Sequence, residues 1–119
     1  MSTISHALYY IQKCLQKQDS DYVWRYAIFD KRLYFLLEVQ NAHIISNTIL
    51  CYILICCHGD EAISMIIEEN EILQKIWQFI FDVIEQILSN MHSLQNLGDN
   101  YIVASASLDL LLSMISNSD

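Results

Sequence analysis

The sequence predicts an all-helical protein, and three observations carry that prediction. Proline is absent from all 119 residues, and glycine occurs only at Gly59 and Gly98. β-Sandwiches and barrels of this size depend on tight turns, which draw on glycine, proline and asparagine. Hydrophobic residues make up 54% of the chain and charged residues 17%, a composition that fills a core and excludes disorder. Apolar residues also recur at intervals of three and four along most of the chain, the period of a helix with one buried face. The expectation is five to seven helices, no sheet, and one domain over residues 1–119.

The first helix is expected over residues 3–17, where Ile4, Leu8, Ile11 and Leu15 share a face opposite Ser5, Gln12, Lys13 and Gln16. The polar run at 16–20 ends it, and Asp19 or Ser20 offers an N-cap oxygen to a short helix over 22–29. Asp30, Lys31 and Arg32 form the next break, before a helix over 31–39. Asn41 can cap the following helix, 42–58. Two places share one punctuation, Gly59 before Asp60 and Gly98 before Asp99, where glycine can end a helix and aspartate begin the next. Between them fall a short helix over 61–69 and a long one from Glu71 to about Ser93. In the long helix Ile72, Ile76, Ile80, Ile84, Ile87 and Met91 form one stripe, widened by Leu73, Trp77 and Leu88. The last helix is expected over 100–116, with breaks in the chain at 18–21, 58–60 and 97–99.

Charge and cysteine narrow the function. Fourteen acids against six bases give a net charge of −8, unevenly spread. Residues 1–32 hold five of the bases, whereas residues 33–119 hold Lys75 alone against eleven acids. Nucleic-acid binding requires Lys and Arg to neutralise phosphates, so no nucleic-acid partner is expected. Cys14, Cys51, Cys56 and Cys57 lack a disulfide framework, and the last three sit in one apolar run. They are expected to be buried, reduced and slow to react, in cytosol or nucleus. No signal peptide is visible. The charge-free stretch 39–59 is continuously apolar only over 49–57, too short to cross about 30 Å of hydrocarbon, so no membrane span is expected.

Motifs for chemistry are missing. Two glycines 39 positions apart cannot build a phosphate loop or a dinucleotide fingerprint. His43, Cys51 and His58 lie near one face of one helix but lack the paired short spacings of a zinc site. Neighbouring carboxylates at Asp60–Glu61 and at Glu68–Glu69 fall at helix ends, where solvated charge is routine. No enzymatic activity, cofactor or metal is expected. What needs explaining is surplus apolar surface. Tyr9, Tyr10, Tyr22, Trp24, Tyr26, Tyr34, Phe35, Trp77, Phe79 and Phe81 exceed what one small helical core takes. Phe79 and Phe81 lie off the main stripe of their helix, and Leu108, Leu110, Leu111 and Met114 crowd the last one. Tyr, Trp and Phe dominate protein interfaces.

A faint internal repeat runs through the chain. A shift of 39 residues lays Asp21 on Asp60, Val23 on Ala62, Ile28 on Ile67 and Leu33 on Ile72, and a period near 40 with two or three helices is the armadillo and HEAT spacing. The stretch NTILCYILICCHGDEAISMIIEENEILQKIWQFI, residues 47–80, resembles an armadillo repeat, running from the third helix of one unit into the first two of the next. Asn70 and Asp30 stand where the family carries glycine, and Tyr52 stands near the position of its groove asparagine. The resemblance implies an armadillo-like stack of two to three repeats, with units at 5–40, 42–95 and 99–117. It also implies a protein–protein interaction or adaptor role. Because such a stack leaves its ends open, a homodimer or a heteromeric complex is expected, with Trp77, Phe79, Phe81, Tyr52, Leu108, Leu110, Leu111 and Met114 as contact residues. The alternative is a compact helical bundle whose hydrophobic groove takes a partner helix, in the manner of a Bcl-2-like regulator, although the Asn-Trp-Gly-Arg helix start of that class is not present.

Overall fold

The computed structural model describes residues 2–17, 21–89 and 98–117. These form seven helices: α1 (Ser2–Leu15), α2 (Asp21–Phe29), α3 (Lys31–Phe35), α4 (Ala42–Cys56), α5 (Asp60–Glu68), α6 (Asn70–Ser89) and α7 (Gly98–Asn117). No strand occurs among the described residues. The end of the long helix expected near Ser93 lies outside the described residues.

Local chemistry sets the helix starts. The Asn41 side chain accepts from the backbone N–H groups of His43 (3.0 Å) and Ile44 (3.1 Å), opening α4. Asp30 opens α3 by accepting from the Arg32 N–H at 2.9 Å, and the Arg32 guanidinium closes on the same carboxylate. That pairing holds the Asp30 carboxyl below its ordinary range. Gly59 precedes α5 at φ 108°, a conformation other residues rarely adopt, although nothing stands within 4 Å of where a Cβ would be. Backbone geometry alone therefore demands glycine there. Asp60 is not the cap that the sequence suggests: it is already the first helical residue, and Gly59 occupies the N-cap without a side-chain bond.

The third helix is shorter than expected. It stops at Phe35, because the N–H groups of Leu36, Leu37 and Glu38 bond back to the carbonyls three residues earlier instead of four. The chain tightens into 3₁₀-type turns that still deliver Leu37 to the core.

α4 is the centre of the molecule. It buries Ile44, Ile45, Thr48, Ile49, Cys51, Tyr52, Ile55 and Cys56, which share one broad face, while His43 and Leu50 on the far side are exposed. α1 packs against it through Leu8 and Leu15, and α7 through Val103, Ala104, Ser107, Leu110 and Met114. α1 and α7 share no comparable interface, so α4 stands between them. Ala104 and Ser107 keep the α7 seam thin, and the buried hydroxyls of Ser107 and Thr48 are satisfied by carbonyls one turn back in their own helices. α2 packs on α5, burying Trp24, Ala27 and Ile28 near Ala62, Ile63 and Ile66, and Arg25 reaches Glu61 at 2.6 Å across them. The His58 ring stacks on Trp24, and its Nε2–H donates to the Leu15 carbonyl at the end of α1 (2.8 Å). α6 packs on α5 and α7. The result is a slab of 49 × 36 × 20 Å.

Two sequence expectations need correction. Cys57 is exposed, because α4 ends at Cys56 and Cys57 turns outward in the cap. Only Cys51 and Cys56 are buried thiols, each pushed up to about 12 by loss of solvent. In α6 the buried seam runs through Ile72, Ile76, Ile80 and Val83, while Ile84, Ile87 and Leu88 face outward.

The 39-residue shift has a structural counterpart. α2 and α5 begin 39 positions apart, as do α3 and α6. Leu33 and Ile72 are both buried, and so are Trp24 with Ile63 and Leu37 with Ile76. Ile28 and Ile67 do not match, being 3% and 48% exposed.

One core group lacks a partner. The Tyr52 hydroxyl is enclosed and receives no hydrogen bond from the protein. An unsatisfied buried hydroxyl costs roughly 1–3 kcal/mol, so Tyr52→Phe is expected to raise unfolding free energy by about 1 kcal/mol. A urea titration that shows a loss of that size would demonstrate a partner for the hydroxyl.

Candidate protein-interaction surface

α6 carries more apolar surface than its neighbours cover. Its buried seam occupies one side, yet Trp77, Phe81, Ile84 and Leu88 recur at i, i+4, i+7 and i+11 to make a second stripe. Those four side chains are 46–69% exposed. The Trp77 and Phe81 rings stack at 5.8 Å, beside a groove of about 580 Å³ bordered by Gln74, Gln78 and Asp82. α7 repeats the pattern, with Tyr101, Leu108, Leu112 and Ile115 forming an outward stripe that is 50–71% exposed.

The contrast with α4 defines the surface. Neither α4 nor α7 is strongly amphipathic. α4 packs on α1, α5 and α7, whereas α7 packs on α4 and α6 and leaves its remaining apolar side to solvent. α1 differs from both, being clearly amphipathic with Lys13, Gln16 and Lys17 on its outer side. Asp82, Glu85, Asp99 and Asp109 are exposed on these helices, Asp82 beside the Trp77–Phe81 groove, and the one base of these helices, Lys75, lies over the Phe79 ring at 5.5 Å.

Of the expected contact residues, Trp77, Phe81 and Leu108 are exposed on this surface, and Phe79 and Leu111 are half-buried. Tyr52, Leu110 and Met114 are core residues and are corrected here. Tyr52 faces the packing around α4, and Leu110 and Met114 fall on the α7 seam against it. Ile84, Leu88, Tyr101, Leu112 and Ile115 are the further exposed apolar residues of the two outward stripes. Their spacing by multiples of a helical turn was visible in the sequence but reads equally well as core.

A second apolar surface lies at the other end of the molecule. Ile11 of α1, Tyr26 and Phe29 of α2, and Leu33 of α3 line a groove of about 690 Å³. Tyr22, Tyr26 and Phe29 there are 58–89% exposed; Tyr22 and Tyr26 belong to the aromatic surplus of the sequence, and Phe29 did not stand out in it. Arg25 and Asp30 reach its margin.

Among the described residues, no group of three or more His, Cys, Asp and Glu side chains is placed to hold a metal ion. No described helix is long and apolar enough to cross a membrane. The chain matches no protein-family model, and no curated protein or solved structure matches it.

Proposed function

We propose that this chain is a non-enzymatic protein-interaction module, an armadillo-like stack that presses its α6–α7 surface against another protein inside the cell. In this reading α1, α4 and α7 are equivalent third helices stacked side by side, α2 and α5 are first helices, and α3 and α6 are second helices. The common 39-residue offset and the packing of α2 on α5 support that equivalence. One observation carries the functional reading: the outward stripe of α7, Tyr101, Leu108, Leu112 and Ile115, is left to solvent, whereas α4 has α7 packed against it. A stacked unit buries its apolar face only against the next one. The compact-bundle alternative accounts for an enclosed α4 and leaves the open side of α7 unexplained.

The magnitude is of the same order as the cost of association. Covering a patch of about 400 Å² at about 25 cal/mol per Å² is worth on the order of 10 kcal/mol, against association costs of roughly 4–15 kcal/mol. Sedimentation at tens of micromolar is expected to give a mass above the monomer. The double substitution Phe81→Glu, Leu112→Glu is expected to return the monomer with helicity unchanged. A soluble wild-type monomer whose behaviour the double variant does not alter would overturn the proposal.

A further inference from the structure

We infer that the partner docks an arginine in the Trp77–Phe81 groove of α6, its guanidinium stacked on the rings and paired with Asp82. The inference rests on the interaction reading above and adds the chemistry of the partner: a segment of another protein that carries an arginine beside apolar side chains.

The groove holds the parts that recognise a cation. Its borders are two stacked aromatic rings, the amides of Gln74 and Gln78, and the Asp82 carboxylate, all exposed. Among the described residues Asp82 has neither a salt bridge nor a hydrogen bond. Glu85, one turn beyond Phe81 on the same flank, adds a second carboxylate. Elsewhere the chain places cations on its own rings. Lys13 lies 5.2 Å from the centre of the Tyr9 ring, Lys75 5.5 Å from Phe79, and the Arg25 guanidinium 4.4 Å from Trp24. Arg25 also reaches Glu61 at 2.6 Å, so a tryptophan, a guanidinium and a carboxylate meet there. Trp77 and Asp82 supply two members of the same set.

The chain cannot supply the third. Its only arginines are Arg25 and Arg32, and Arg32 is bound through Nε and Nη2 to Asp30. A second copy has no free guanidinium to offer, so copies that cover one another do so through apolar contact alone. Arginine suits the groove better than lysine, because its planar fork stacks on a ring while its edge pairs with a carboxylate. Beyond the groove, Ile84 and Leu88 continue the stripe to about 16 Å from Trp77. There they meet the partner's apolar side chains, which keep water from the ion pair and strengthen the cation on its ring.

The test uses the whole chain and a labelled, alanine-based helical peptide of about 16 residues, with arginine near its N-terminus and leucines four, seven and eleven residues on. A second peptide runs in the reverse order, and each has a twin in which citrulline replaces arginine, keeping shape without charge. Fluorescence anisotropy is expected to show the better arginine peptide binding about tenfold tighter than its twin. That preference is expected to shrink as salt rises from about 0.05 M to about 0.5 M. Asp82→Asn and Trp77→Leu, each with helicity unchanged, are expected to erase most of the preference and to change citrulline-peptide binding far less. If arginine and citrulline peptides bind the wild-type chain alike, or the preference survives both substitutions, the arginine site is overturned. Equal binding that Phe81→Glu abolishes leaves the interaction reading standing. A chain that binds neither peptide also overturns the arginine site, and sedimentation then decides the interaction reading on its own.

Discussion

Replacing Leu110 with alanine is expected to lower the unfolding free energy by about 2–5 kcal/mol, a large fraction of the roughly 5–15 kcal/mol that holds a domain folded. Leu110 is fully buried on the seam where α7 meets α4, between Ser107 and Met114, and that contact is the most extensive helix pairing in the molecule. Truncation removes apolar burial and leaves a cavity between two straight helices that cannot collapse into it. Leu112, two residues on, is 60% exposed on the opposite side of α7, and Leu112→Ala is expected to change stability by less than about 0.5 kcal/mol. Urea titrations of both variants check the pair. Equal effects would mean that α7 does not present the seam described here. The comparison also separates core from contact surface on one helix, which a substitution to glutamate at either position would confuse.

Stability is also expected to fall steeply in alkali. Burial raises the Cys51 and Cys56 thiols from an ordinary 9.0 to about 12, and raises the Tyr52 phenol from its ordinary 10.0. Each group is neutral when protonated, so the fold keeps protons that the unfolded chain releases. For a raised folded-state pKa, the contribution is complete below the unfolded value and is lost as pH climbs toward the folded one. Above about pH 9 each thiol then contributes a slope of about −1.4 kcal/mol per pH unit, and Tyr52 joins above about pH 10. Urea midpoints measured from about pH 8 to about pH 11 are expected to drop continuously. A chain carrying Cys51→Ala, Cys56→Ala and Tyr52→Phe is expected to lose most of that slope, whatever its starting stability. A wild-type profile that is flat across this range would show that these side chains reach solvent in the folded protein.

The places where helices start were legible in the sequence because capping is local. The sequence marks Asp30 only as a break, however, and offers Asp60 as the cap that Gly59 occupies. Asn41 and Asp30 act on N–H groups two or three residues away, and Gly59 is required by its own φ. The α3 end was not legible, since Lys31–Val39 reads as continuous helix and only the hydrogen bonds reveal 3₁₀-type turns after Phe35. Burial was legible only where one stripe competes. In α6 the apolar arc spans both the Ile72–Ile76–Ile80 seam and the Trp77–Phe81–Leu88 stripe, and which of these is covered depends on where α5 and α7 stand. The same ambiguity put Tyr52, Leu110 and Met114 among the contact residues. Helical spacing places a side chain on a face without saying what lies opposite.

The position of α4 decides how the chain comes apart. Stacked-helix proteins commonly unravel unit by unit from an end, because each unit depends only on its neighbours. Here one helix supports both flanks: loss of α1 or of α7 strips apolar surface from the same α4. Fraying at either end therefore lowers the stability of the other, and the two flanks share one free energy of opening. The amide protons of α4 can exchange with solvent only when that shared opening occurs, whereas those of α2, which rests on small contacts with α1 and α5, escape through cheaper local events. The seven helices are thus expected to unfold as one cooperative unit.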